Sequence, residues 1–164
     1  MNTFDTGYEN CRVVASGRWR GQVWGLMGKA GAGKDAFFSA LVVQGVLCHR
    51  FAFADPLKRE VAAALGIDPL RLNADKPRFR TILQWWGTEW RRRDDAAYWT
   101  RRTAALIDAL PMDWPGVAVV TDVRFRNEAD MIRARGGKLI RVVRVGGPML
   151  SGEHAAHASE TETD

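Results

Sequence analysis

The chain has 164 residues, 46% hydrophobic and 26% charged, with a net charge of +5: one domain with a real core, too small for two, whose positive balance suits an anionic partner without choosing among nucleotide, nucleic acid and acidic surface. No apolar run approaches membrane-spanning length, and the N-terminus has no hydrophobic core of a signal peptide. Cys11 and Cys48 stand isolated, in no metal-ligand spacing, so a cytoplasmic protein of a reducing compartment, with no membrane partner, is expected.

Residues 1–20 show no periodicity and read as a flexible tail ahead of a domain over 21–164. A first strand is expected over Val23–Met27, then a glycine-rich turn and a helix over Lys34–Val43. A short strand, Arg50–Ala54, leads to a helix from Pro56 to Leu65, with proline in the first turn and Gly66 as a left-handed C-terminal cap. An arginine-rich helical region follows, Lys76–Trp86 and Asp95–Leu110. Val117–Val120 is a continuous apolar run, as a buried parallel strand requires. A helix over Asn127–Arg135, stopped by Gly136-Gly137, and a strand over Leu139–Val145 complete the pattern. Strands alternating with helices argue an α/β fold with a parallel sheet and right-handed crossovers. The segment after Gly146-Gly147-Pro148, to Asp164, reads as a lid or a tail.

The turn Gly28-Lys29-Ala30-Gly31-Ala32-Gly33-Lys34 has the G-x-x-x-x-G-K spacing of a phosphate-binding loop. Glycines let backbone N–H groups face phosphate oxygens, the following helix N-terminus adds positive potential, and Lys34 reaches the outer phosphates. Asp35 stands where a magnesium-binding hydroxyl is usual. A rival reading exists: Gly31-Ala32-Gly33-Lys34-Asp35-Ala36 also fits G-x-G-x-x-A, with Asp55 at the distance of a ribose-binding acid. Against it stand the three extra residues between strand and first glycine, and Pro56 directly after the acid.

Ligands in such sheets sit at the carboxyl ends of strands, which selects the loop, Asp55, Asp122 and Arg144. Asp122 is placed to hold or orient hydrated Mg²⁺, or else to cap the helix that follows it. Arg124 could neutralise charge on a transferring phosphoryl group, or pair with Glu128 at the surface. Arg80, Gln84 and Thr88 repeat at intervals of four and would share one helical face, with Gly87 expected to end that helix. A guanidinium clamps phosphate and a carboxamide reads a base edge. Arg92 and Arg93 read as a solvated charge run, and the tryptophans as mostly core, with Trp90 or Trp99 available to stack on a base.

The phosphate loop ending Gly33-Lys34-Asp35, then Phe53-Ala54-Asp55-Pro56-Leu57-Lys58, Leu83-Gln84 with Gly87-Thr88, Asp122-Val123-Arg124 with Glu128, and His157-Ala158-Ser159-Glu160 occur in the order seen in bacteriophage deoxynucleoside monophosphate kinases, which the chain resembles over about residues 22–160. The resemblance implies a three-layer P-loop NTPase fold of the nucleoside-monophosphate-kinase type, with an acceptor-binding helical region about 56–110 and a lid about 146–164. It implies transfer of the ATP γ-phosphoryl group to a deoxynucleoside monophosphate with Mg²⁺, in the cytoplasm of a bacterial host. Gly28, Ala30, Gly31, Ala32, Gly33, Lys34, Asp35 and Ala36 would bind ATP, with Asp35 and Asp122 at the metal. Asp55, Lys58, Arg80, Gln84, Thr88, Arg91 and Trp99 would face the acceptor. Lys34, Asp122, Arg124, Glu128 and Arg144 would be catalytic.

Two features depart from the family pattern. Ala36 replaces the usual Thr or Ser, and the family usually continues past His-x-Ser-Glu into another strand and helix, so either a sheet one strand short or a truncated sequence is expected. A homodimer is compatible with the resemblance, and nucleic acid is not an expected partner. The competing functional classes are an acceptor-independent P-loop ATPase, a kinase of another small molecule such as dephospho-coenzyme A, and a basic nucleic-acid-binding module with a tryptophan platform.

Overall fold

The fold is described from a computed structural model over residues 19–144. The chain runs β1 (Gln22–Met27), α1 (Lys34–Val43), β2 (Cys48–Phe51), α2 (Ala54–Leu65), α3 (Pro69–Ala74), α4 (Lys76–Gln84) continuing as a π-helical segment (Trp85–Arg92), α5 (Tyr98–Asp108), β3 (Val117–Val123), α6 (Arg126–Arg133) and β4 (Lys138–Arg141). The four strands form one all-parallel sheet in the order β2-β3-β1-β4. This is the α/β class expected from the alternation of elements. None of the described helices is long and apolar enough to cross a membrane.

β1 lies at the centre because its apolar residues are covered on both faces; Val23 and Leu26 are buried, as are Ala118, Val119 and Val120 of β3 beside it. Below the sheet, α5 and α6 close one core around Ile107, Ala129 and Ile132. A second, smaller core joins α2, α3 and α4 through Val61, Ala62 and Leu72, with Leu57, Phe79, Ile82 and Trp86 against it. Strand order reverses at β1, so the chain leaves β1 and β3 in opposite directions and opens a crevice beyond their carboxyl ends. The glycine-rich loop, Asp55, Asp122 and Arg144 were expected at that edge.

Several expectations are corrected in detail. Trp19 belongs to the domain rather than to a loose tail: it is buried in the main core, packs on Trp114 at 5.5 Å between ring centroids, and donates its indole N–H to the Trp114 carbonyl at 2.9 Å. The six-residue α3 was not foreseen, although Asp68 caps it by accepting the Leu70 N–H at 2.8 Å and Pro69 fills its first turn. β2 lies two residues earlier than expected and stops at Phe51, and α2 begins at Ala54. Gly66 closes α2 in the left-handed conformation, as its position suggested. α5 starts at Tyr98, because Asp95 accepts the Ala97 N–H at 3.0 Å and turns the chain first. β4 ends at Arg141, with Arg144 just beyond it. The segment 146–164, including His157–Glu160, lies outside the described residues.

Candidate functional site

A cleft of about 790 Å³ opens at the carboxyl edge of the sheet, and the glycine-rich loop forms one wall of it through residues 30–35. Gly28, Gly31 and Gly33 hold φ of 140°, 78° and 99°, a region that disfavours side chains. At Gly28 a Cβ would also run into the Val142 carbonyl oxygen, where β4 continues beside the loop. The loop turns through an Ala32 N–H to Lys29 carbonyl bond of 3.1 Å and enters α1 at Gly33, which accepts the Phe37 N–H at 2.8 Å. Lys34 folds back over this turn, its ammonium donating to the Gly28 carbonyl and, at 3.0 Å, to the Lys29 carbonyl. Asp35 lies in the first turn of α1, exposed at the mouth of the cleft. Gly28 and Ala36 do not line it.

The floor comes from the end of β3. Asp122 is half-buried at the cleft, and its two carboxylate oxygens accept the Phe53 N–H at 2.8 Å and the Ala54 N–H at 2.9 Å. These are the first free amides of α2, so Asp122 caps a helix 68 residues away in sequence rather than the one that follows it. Burial pushes its carboxyl above the usual range, while those two amides and the Arg124 charge pull the other way.

Glu128, on α6, is buried beside it. One oxygen accepts the Arg124 N–H at 2.7 Å and the Phe125 N–H at 3.1 Å, and the other pairs with the Arg92 guanidinium. Burial raises this carboxyl to about 7 against the attraction of Arg92, with the Asp122 charge pushing in the same direction as burial. The expected surface pair of Arg124 and Glu128 is therefore a buried contact to the Arg124 backbone, with a different arginine as ionic partner.

That arginine is not the solvated residue expected of the charge run. The Arg92 side chain is only 12% exposed, lines the cleft and lies over the Phe125 ring at 3.9 Å. Arg93 beside it is 78% exposed, as a charge run should be. No sequence signal separated the two, because the difference depends on where the helix turns.

The opposite wall carries Lys58, Arg80, Gln84, Thr88 and Trp99. Gly87 does not end the helix as expected: the chain continues as π-helix to Arg92, with Gly87 buried and Leu57 only 2.8 Å from where its Cβ would stand. Trp99 is 1% exposed and donates its indole N–H to the Gly87 carbonyl at 2.9 Å, so it is a fixed wall rather than a free stacking face. Lys58 is held by Asn73 at 2.8 Å. Arg50 and Arg144 reach the rim. Two residues expected at the acceptor stand outside this lining: Asp55 pairs with Arg50 at 3.0 Å, and Arg91 points the other way, onto Glu60 at 2.6 Å.

Among the described residues no three His, Cys, Asp or Glu side chains gather around a common point. Mg²⁺ needs no such cage, since one or two carboxylates suffice when phosphates supply the remaining ligands. Asp35, open at the cleft mouth, fits that demand; Asp122 already spends one lone pair of each oxygen on α2. Neither a family model nor a curated protein matches the chain.

Proposed function

We propose that the chain is a P-loop phosphotransferase that moves the γ-phosphoryl group of ATP to a deoxynucleoside monophosphate. The observation that carries this reading is that loop residues 30–35 line one cleft together with Arg80, Gln84, Thr88 and Arg92, a set that would suit a phosphate donor and a nucleotide acceptor. The 2-3-1-4 parallel strand order, with the loop after the central strand, supports the P-loop kinase architecture.

Phosphoryl transfer asks a protein chiefly for alignment and charge stabilisation. In this reading Lys34 leaves its two loop carbonyls for the phosphate oxygens of ATP, which offer it stronger, charge-assisted partners. Arg80 holds the acceptor phosphate while the Gln84 carboxamide meets the base edge. Arg92 and Arg124 bring positive charge to the region between donor and acceptor. Glu128 orients Arg92, and Asp122 fixes the N-terminus of α2 that bears Lys58. Mg²⁺, when bound on the ATP phosphates beside Asp35, supplies further neutralisation of their charge.

The test is incubation with Mg-ATP and each deoxynucleoside monophosphate in turn, with chromatography of the products. Equal amounts of ADP and a deoxynucleoside diphosphate are expected with at least one acceptor. Phosphate release that no acceptor alters would overturn the proposal in favour of an ATPase.

A further inference from the structure

Arg91 and Arg92 are neighbours on the π-helical segment, yet they serve opposite sides of it. Arg92 enters the cleft, whereas Arg91 faces a separate recess of about 590 Å³ lined by Pro56, Arg59, Glu60, Arg91, Tyr98 and Arg102, with Ala105 and Leu106 behind. Glu60 is the one carboxylate of this recess and it is heavily used. It accepts the Trp86 indole N–H at 2.9 Å, the Arg91 Nε–H at 2.6 Å and the Tyr98 hydroxyl at 2.6 Å, with Arg102 at 3.7 Å. Burial alone would raise its carboxyl, but the donors from Tyr98, Trp86 and Arg91 outweigh this and hold it ionised. The Tyr98 ring lies 4.9 Å from the Arg91 guanidinium and 4.7 Å from that of Arg102.

Two guanidiniums thus share one saturated carboxylate, leaving net positive charge between them. Arg91 commits Nε and Nη2 to Glu60, and its remaining nitrogen keeps donors to spare. A rigid aromatic floor, preorganised guanidinium forks and excess positive charge are what a phosphoryl anion requires. We propose that this recess is a second anion site, distinct from the cleft, that takes a phosphoryl group, either free phosphate or the phosphate of a mononucleotide. Its walls are α2, the π-helical segment and α5; the first two also carry Lys58 and Arg92 of the cleft. The site uses no cleft residue and stands or falls separately from the kinase reading.

The test is equilibrium dialysis of the whole chain against radiolabelled inorganic phosphate at fixed ionic strength, for wild type, Lys34→Ala and the Arg59→Ala/Arg102→Ala double variant made in the Lys34→Ala background. Both arginines are exposed, so the double variant should keep its fold, which circular dichroism checks. Saturable binding should persist in Lys34→Ala and weaken by about tenfold or more in the double variant, as loss of charge-assisted hydrogen bonds predicts. Unchanged binding in the double variant, or loss in Lys34→Ala alone, overturns the proposal. Competition in the Lys34→Ala background distinguishes the sources: equal displacement by methyl phosphate and by nucleoside monophosphates assigns free phosphate, and stronger displacement by the nucleotides assigns a mononucleotide. Displacement by a single-stranded oligodeoxynucleotide but by no mononucleotide overturns the proposal in favour of a nucleic-acid face.

Discussion

Glu128→Gln tests a strongly perturbed carboxyl of the cleft. The wild-type carboxyl is raised to about 7 by burial, while the unfolded chain should titrate near 4.5. The folded state therefore holds a proton that the unfolded state has released. That contribution to stability is fully present below about pH 4.5 and is lost as pH rises through about 7. Between pH 5.5 and 8.5 the linkage integral gives a loss of about 2 kcal/mol from this one group. Glutamine is nearly isosteric and has no proton to exchange. Its carbonyl can still accept the Arg124 and Phe125 N–H groups, while its NH₂ replaces the oxygen that met Arg92. The variant should thus be less stable than wild type at pH 5.5, and that deficit should shrink or reverse by about 2 kcal/mol at pH 8.5. Urea melts of both proteins at the two pH values measure this. A deficit equal at both pH values within about 0.5 kcal/mol would refute the assignment of a raised pKa to Glu128.

Three further outcomes are expected. Lys34→Ala should lower turnover by two to three orders of magnitude, roughly the effect of removing one preorganised charge contact, as initial-rate assays would show; near-normal turnover in a folded variant removes the lysine from the reaction. Gln84→Ala should raise the KM for the monophosphate and leave that for ATP nearly unchanged, since Gln84 lies on the wall opposite the loop; equal effects on both substrates would contradict that placement. Asp122→Ala should destabilise the fold by about 2 kcal/mol or more in denaturant melts, because two amides at the start of α2 lose their acceptors inside the protein; a change below about 0.5 kcal/mol would mean they find other partners.

What the sequence made legible was local. The expected bounds of α1, Lys34–Val43, are those observed, because a glycine turn ends and an apolar helical run begins within two residues. Gly66 as the cap of α2 followed from the same kind of signal. The shift of β2 and α2 did not, since the start of α2 is set by Asp122, which reaches it from the far end of β3. A tertiary cap leaves no mark near the helix it caps. α3 did carry a local mark, Asp68-Pro69, but six residues are too few to show a periodicity. The split between Arg91 and Arg92 was the hardest to read, because adjacent identical residues differ only in the partner that the fold brings to each.

The π-helical turn explains how the spacing by four works at all. An α-helix repeats every 3.6 residues, so four residues spaced by four, from Arg80 to Arg92, would drift by about a third of a turn around it. The last would leave the face that the first occupies. In this protein α4 drifts one way from Arg80 to Gln84, and the wider i→i+5 turn of Trp85–Arg92 drifts back, so that Arg80, Gln84, Thr88 and Arg92 all line the cleft. Gly87 makes the wide turn compatible with close packing, since Leu57 of α2 occupies the space of its side chain. The Trp99 indole satisfies its carbonyl. A wide turn weakens local hydrogen bonding and is retained where its geometry serves something. Here it aligns three polar side chains with a fourth, Arg92, that Glu128 and Phe125 hold from the other side of the cleft. The same turn sends Arg91 outward to Glu60, so one local irregularity both completes the line of cleft residues and builds the recess behind it.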